Sequence, residues 1–223
     1  LEGKRVLLID ADMQDNIRIW LDMEQQKISL FDVLVNDKDI IQALTKVREN
    51  LFVIPSGGED LGAIPYLLKD REGAAFKLKK ELEKVEDRFD YVLIDCSPAR
   101  TLMHTIVMLA SDQILIPVNM EFLSSVGSVQ VKKAIDDVRT GYGSEVEIGL
   151  IIPTFVDRRR SRITDDILED LKNTYKGLVS SIPIRVNSKL SEAPSYAQTI
   201  YDMNDPRGIE DFSDLAKVVM EIE

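Results

Sequence analysis

Short unbroken apolar runs alternate along the whole chain with longer stretches whose apolar side chains recur every three or four positions. Val6-Leu7-Leu8-Ile9 is the first such run, and it reads as a strand buried on both faces, as in a parallel sheet. Leu51 to Pro55, Tyr91 to Asp95, Gln113 to Val118, Ile148 to Pro153 and Leu178 to Ile182 repeat the pattern. Helical spacing between them predicts helices over Ser29–Leu34, Ile40–Val47, Glu72–Arg88, Met103–Ala110, Val126–Val138, Ile163–Tyr175 and Gly208–Ile222. The stripe of Phe76, Leu78, Leu82 and Val85 within the third of these reads as plain core packing. Strands separated by helices of this length predict an α/β fold: one doubly wound, mostly parallel sheet with helices on both faces. Repeats, linkers and low-complexity stretches are absent, so one domain over residues 1–223 is expected.

Composition narrows the class. A chain of 223 residues that is 44% hydrophobic and 30% charged can bury a full core. No stretch approaches the roughly eighteen apolar residues needed to span a bilayer, and no signal peptide opens the chain, so a cytoplasmic protein is expected. The lone Cys96 excludes an internal disulfide and reads as a small filler behind a strand. His104, also alone, builds no histidine metal cluster. A net charge of −11 argues against coating nucleic acid with the whole surface. It leaves room for a local patch: Arg158, Arg159, Arg160 and Arg162 crowd one short segment, with Lys172, Lys176, Arg185 and Lys189 later. Two readings of these cations stay open, a solvated face and a contact to phosphate backbone.

The candidate chemistry sits where the first and third strands end. Asp10 and Asp12 follow the first apolar run, and Asp95 follows the third. Ligands of open α/β sheets bind beyond the carboxyl ends of the strands. One such Asp is commonly a helix cap, but three acids at strand ends favour a site. Carboxylate oxygens suit Mg²⁺, which is held by one or two carboxylates together with substrate phosphates and water. A carboxylate beside the metal can orient an attacking water for phosphoryl transfer.

At these residues the sequence resembles the ParA/Soj family of deviant Walker ATPases, relatives of MinD that partition plasmids, chromosomes and other cargo. Arg5 to Gln14, reading R-V-L-L-I-D-A-D-M-Q, is similar to the family's strand and switch-I motif, with Met13 in place of the usual proline. Tyr91 to Pro98 resembles its D-x-x-P switch II, and Leu190 to Tyr196 its L-x-E-A-P-S segment. Ile114 to Val118 with Glu121, and Ile151 to Asp157, fall between them in family order. The resemblance covers the whole chain and implies a nucleotide-binding fold of the P-loop NTPase kind.

The resemblance also implies roles. Asp12 would position the hydrolytic water, Asp95 would hold Mg²⁺ through a water, and Asp10 would support the metal side. Thr154 and Asp157, with Pro183, Arg185 and Asn187 of the segment Pro183 to Asn187, would meet the nucleotide, although the family's I-P-x-N spacing differs here. Cofactors would be ATP and Mg²⁺. Partners would be a second copy on ATP binding, DNA bound without sequence preference through Arg158, Arg159, Arg160, Arg162, Arg185 and Lys189, and a ParB-like or cargo-adaptor protein. The acidic tail, Asp211 to Glu223, differs from the basic membrane helix of MinD-like relatives, so no membrane partner is expected. The family's K-G-G-x-G-K-[ST] loop is not found in the chain. The expectation is that it precedes Leu1. The alternative is a non-catalytic homologue without the loop, acting as an interaction or regulatory protein.

Overall fold

Val6 to Ile9 form the first four residues of a strand in the computed structural model, which describes residues 3–97, 101–120, 125–157 and 161–222. The chain divides into two compact units, Leu1–Ser111 and Asp112–Glu223.

The first unit runs β1 (Val6–Ala11), α1 (Asn16–Trp20), α2 (Leu30–Val35), α3 (Ile40–Ala43), β2 (Thr45–Arg48), β3 (Leu51–Ile54), α4 (Ile64–Leu67), α5 (Lys77–Leu82), β4 (Tyr91–Cys96) and α6 (Leu102–Leu109). Its sheet has the order β2-β3-β1-β4, with β3 and β4 parallel to β1 and β2 antiparallel to β3. Leu7 and Ile9 are completely buried, packed with Leu30, Leu34, Ile54, Ile64, Leu78 and Ile106. Val6 and Leu8, on the opposite face, are only half-buried, so the first strand is not closed equally on both sides within this unit.

Two helix predictions are corrected here. The helix expected over Ile40–Val47 stops at Ala43, and Thr45–Arg48 is the first arm of a hairpin. Thr45 and Val47 are half-buried while Lys46 and Arg48 are exposed, a period of two that β-branched residues favour. The helix expected over Glu72–Arg88 is broken into a 3₁₀ turn at Ala74–Phe76, α5, and a second 3₁₀ turn at Glu86–Arg88. Gly73 enters the first turn with φ of 73°, which a continuous helix cannot accommodate. Leu78 and Val85 still point into the core.

The second unit runs β5 (Gln113–Asn119), α7 (Ser125–Tyr142), β6 (Glu147–Thr154), α8 (Ser161–Thr174), α9 (Ser188–Glu192) and α10 (Pro206–Met220). β5 and β6 pair in parallel. Alternate residues of β6 feed separate clusters. Ile151 packs with Ile116, Val118, Leu171 and Tyr175, and with Val131 and Ile167 from α7 and α8. Leu150 and Ile152 pack with Ile184 and with Leu215 and Val218 of α10. The pair is therefore covered by helices on both faces, the doubly wound arrangement expected of the α/β class.

The strand predicted at Leu178–Ile182 is reduced to an isolated bridge between Ile151 and Val179. Ser180 turns the chain away: its hydroxyl donates to the Ile182 carbonyl (2.9 Å) and accepts from the Ile182 amide (3.0 Å). Such local bonds compete with a ladder, and Pro183 then offers no amide at all.

Candidate functional site

Asp10 lies on β1 with no exposed surface. Its Oδ1 accepts from the Asp12 amide (3.0 Å) and its Oδ2 from the Ile17 amide (3.1 Å). The second bond caps α1 from outside. Asp15, the residue at the cap position, is left-handed (φ 52°), and its own side chain caps nothing. Burial pushes the Asp10 carboxyl up to about 6; the two amides pull the other way, and the charges of Asp15 and Asp95 add to the rise.

The same anchoring shapes the turn that carries Asp12. Asp12 Oδ1 accepts from the Gln14 amide (3.0 Å), and its carbonyl accepts from the Asp15 amide (3.1 Å). Oδ2 of Asp12 makes no hydrogen bond among the described residues and is left to meet a ligand or water. Sequence reasoning missed the support behind this turn. Nearly buried Asp15 accepts from the Ser56 hydroxyl (3.1 Å) and forms an ion pair with Arg18, while the Ser56 oxygen accepts from the Gly58 amide (3.0 Å). The turn Ser56-Gly57-Gly58 is thus tied to the acid-bearing loop. Its signal was present as a serine before two glycines at a strand end, but Asp15 and Ser56 are 41 residues apart.

Asp95 is the register partner of Asp10 across β1 and β4, and it is exposed. Desolvation by the surrounding protein raises its carboxyl above the ordinary range, and the Asp12 charge raises it further. Beside it the Cys96 thiol is pushed up to about 11, first by burial and then by Asp95 and Asp12. It stays protonated at neutral pH and is inert, in keeping with a filler. Among the described residues no group of three or more His, Cys, Asp or Glu side chains is arranged to hold a metal unaided. The acids nevertheless fit Mg²⁺: their oxygens are hard donors, and acids that raise one another's pKa are relieved by a cation. Such an ion completes its shell with water and phosphate oxygens.

In the second unit the structure brings the two predicted nucleotide segments side by side. The Ile184 amide donates to the Pro153 carbonyl (2.9 Å), the Val156 amide to Ile184 (3.1 Å), and the Val186 amide to Val156 (3.1 Å). Thr154 ends β6, its carbonyl accepting from the Met120 amide (2.9 Å), and Asp157 follows. Arg185 is committed: its amide (3.0 Å) and Nε (2.8 Å) donate to nearly buried Asp211, and its guanidinium also pairs with Glu210, which together raise its pKa further. The Asn187 amide group donates to Asp205 (2.7 Å), and its oxygen caps α9. Arg185, Asn187, Asp205, Pro206, Arg207 and Glu210 line a groove of about 580 Å³.

The predicted DNA contacts fare unequally. Arg158, Arg159 and Arg160 lie outside the described residues, and Arg162 opens α8 with its side chain also outside them. Lys189 is exposed and pairs with Glu192 at 2.8 Å. Arg185, paired twice, carries little net charge outward. Arg207, which sequence reasoning passed over, reaches the groove with no ion pair among the described residues. No helix among them is long and apolar enough to cross a membrane.

The chain is similar to known proteins along nearly its whole length. A family model described as an AAA domain matches residues 1–148. The sporulation initiation inhibitor protein Soj of Bacillus subtilis is 33% identical over 226 residues, covering 97% of this chain and 87% of Soj. The chromosome partitioning protein ParA of Caulobacter vibrioides is 31% identical over 208 residues, covering 90% of this chain and 77% of that protein. Cobyrinic acid a,c-diamide synthase of Mycobacterium smegmatis, solved with a bound ATP analogue and magnesium, superposes with a TM-score of 0.84 at 25% identity, covering 98% of this chain and 83% of the synthase. A fold shared by a partition protein and a synthase does not choose between them; the sequence relatives do.

Proposed function

The chain belongs to the ParA/Soj family of partitioning ATPases, and we propose that it binds ATP with Mg²⁺, dimerises, holds DNA without sequence preference and releases it on hydrolysis. The observation that carries this reading is the turn at Asp12. Buried Asp10 fixes the Asp12 amide, the Gln14 amide occupies one Asp12 oxygen, and the other has no hydrogen bond among the described residues. A preorganised carboxylate of this kind aligns a water for in-line attack on a terminal phosphate.

In this reading Asp12 accepts a hydrogen bond from the attacking water, and Asp95 holds a water of the metal's shell. When bound, Mg²⁺ neutralises charge on the phosphate oxygens. Asp10 acts through geometry, keeping the turn and α1 in register. In the second unit the paired segments around Thr154, Asp157, Pro183, Arg185 and Asn187 serve the nucleoside. Lys189 and the arginines at 158–162 serve phosphate backbone, and a ParB-like or cargo-adaptor protein stimulates turnover.

The test is phosphate release from ATP with Mg²⁺ present, compared between the protein and Asp12→Ala, with ATP affinity followed by calorimetry. Turnover should fall by at least about a hundredfold in the variant, the loss expected for one well-placed catalytic group, while affinity changes little. Equal turnover in the two proteins removes Asp12 from the chemistry. Absence of ATP binding by the unsubstituted protein overturns the reading as a whole.

A further inference from the structure

Asp15 stands where a helix cap is expected, yet it caps nothing. It precedes α1 with φ of 52°, a conformation that Asp tolerates, and its side chain bonds none of the helix's own amides. That duty falls to Asp10, whose Oδ2 takes the Ile17 amide. The nearly buried Asp15 carboxylate instead accepts from the Ser56 hydroxyl at 3.1 Å and pairs with Arg18.

The far end of this contact is fixed. β1 and β3 are neighbouring parallel strands with Ile9 in register with Ile54, so the Asp12 turn and Ser56 follow the same edge of one sheet. Ser56 has no exposed surface; its hydroxyl oxygen accepts from the Gly58 amide at 3.0 Å and its carbonyl from the Phe31 amide at 3.2 Å. The Pro55 carbonyl accepts from the Leu30 amide at 2.8 Å, which ties the same turn to the first residues of α2. At the near end the Asp15 amide donates to the Asp12 carbonyl at 3.1 Å. One hydroxyl–carboxylate bond therefore joins the Asp12 turn to the turn that follows the adjacent strand. Both of its ends lie outside the strands and helices, so what it holds is the backbone that carries Asp12.

We propose that Ser56 and Asp15 are positioning residues for the hydrolytic step, holding the Asp12 turn where its second carboxylate oxygen meets the attacking water. The inference rests on the role of Asp12 proposed above and adds to it the contact that sets its place. Asp10 fixes the turn from its own strand, and Ser56 fixes it from the next one. Neither Ser56 nor Asp15 touches the reacting atoms, so their loss reaches the reaction only through Asp12. Displacing a reacting group by about 1 Å can cost about a hundredfold in rate, so a turn released at one of its two supports is expected to lose part of that.

Ser56→Ala removes the donor and Asp15→Gly the acceptor, the glycine keeping the left-handed turn accessible. Each should lower kcat for Mg²⁺–ATP by about tenfold with KM changed by less than about twofold, and the double variant should be no slower than the slower single one. Asp15→Asn keeps an oxygen for the Ser56 hydroxyl and tolerates the same φ, so its kcat should stay within about threefold of the starting protein. Hydrogen exchange reads the same contact without nucleotide: in Ser56→Ala and Asp15→Gly the amides of residues 12–17 should exchange about tenfold faster while those of β1 keep their protection. Unchanged kcat in Ser56→Ala, losses that add in the double variant, a loss in Asp15→Asn as large as in Asp15→Gly, or exchange rising equally across β1 each overturns the positioning role and leaves Asp12 in place. Absence of ATP hydrolysis by the unsubstituted protein overturns the role of Asp12, and the positioning role with it.

Discussion

Asp10 and Asp95 occupy the same register position on neighbouring parallel strands, yet one is sealed from solvent and the other open to it. The difference separates their duties. Asp10 spends both oxygens on backbone amides and organises the turn; Asp95 keeps its carboxylate where a hydrated cation can reach it. Residue type alone did not distinguish the two.

The buried carboxyl makes stability depend on pH. In the unfolded chain Asp10 titrates near 3.8, and in the native protein near 6. Between those values the native state holds the proton more tightly, so the stability it gives is complete below about pH 4 and is lost as pH rises through 6. The size is on the order of 3 kcal/mol, from 1.36 kcal/mol per unit of difference. Urea unfolding of the protein and of Asp10→Asn between pH 4 and 7 should show the unsubstituted protein losing stability relative to the variant across that window. Parallel profiles would show that Asp10 does not titrate there.

Gly57 joins the Ser56 turn to α2. A Cβ added to it would lie 2.7 Å from the Ser29 hydroxyl oxygen and 3.1 Å from the Phe31 Cβ, and its φ is 94°. Ser29 is the N-cap of α2 and forms a capping box with Asp32. Gly57→Ala therefore combines left-handed strain with loss of a cap, a destabilisation of roughly 2–4 kcal/mol. Gly58→Ala is the control: its φ of 67° is also positive, but nothing lies within 4 Å of the added carbon, so only about 1 kcal/mol is expected. Equal denaturation midpoints for the two variants would contradict the contact with Ser29.

Arg185 and Lys189, paired in the sequence reading as phosphate contacts, should behave differently. Arg185→Ala leaves Asp211, 5% exposed, without its guanidinium and should destabilise the protein by about 3 kcal/mol. Lys189→Gln breaks only an exposed pair with Glu192 and should change stability by less than about 0.5 kcal/mol. If Lys189 meets DNA phosphate, that substitution lowers the salt dependence of DNA binding by about one unit in log–log slope. An unaltered slope would assign the contact elsewhere, with Arg207 or the arginines at 158–162 next in line.

The apolar runs made β1, β3, β4, β5 and β6 legible, because a buried parallel strand leaves an unbroken hydrophobic signature. The acids at two of those strand ends were legible for the same reason. The hairpin at Thr45–Arg48 was not, since Ile40, Ile41 and Leu44 mimic helical spacing just before it. α1 was hidden as well: its entry residue is left-handed and its cap comes from the preceding strand rather than from the position where a cap is sought. The pairing of residues 153–156 with 184–186 is a tertiary event that no local pattern encodes.

Trp20, the one tryptophan of these 223 residues, closes α1, the short helix whose second residue donates its amide to Asp10, and it is 44% exposed. Within these 223 residues tryptophan emission thus comes from a helix tied directly to the acid-bearing turn. A shift in its wavelength or its accessibility to a quencher would register rearrangement at that turn, with no second indole among these residues to dilute the signal.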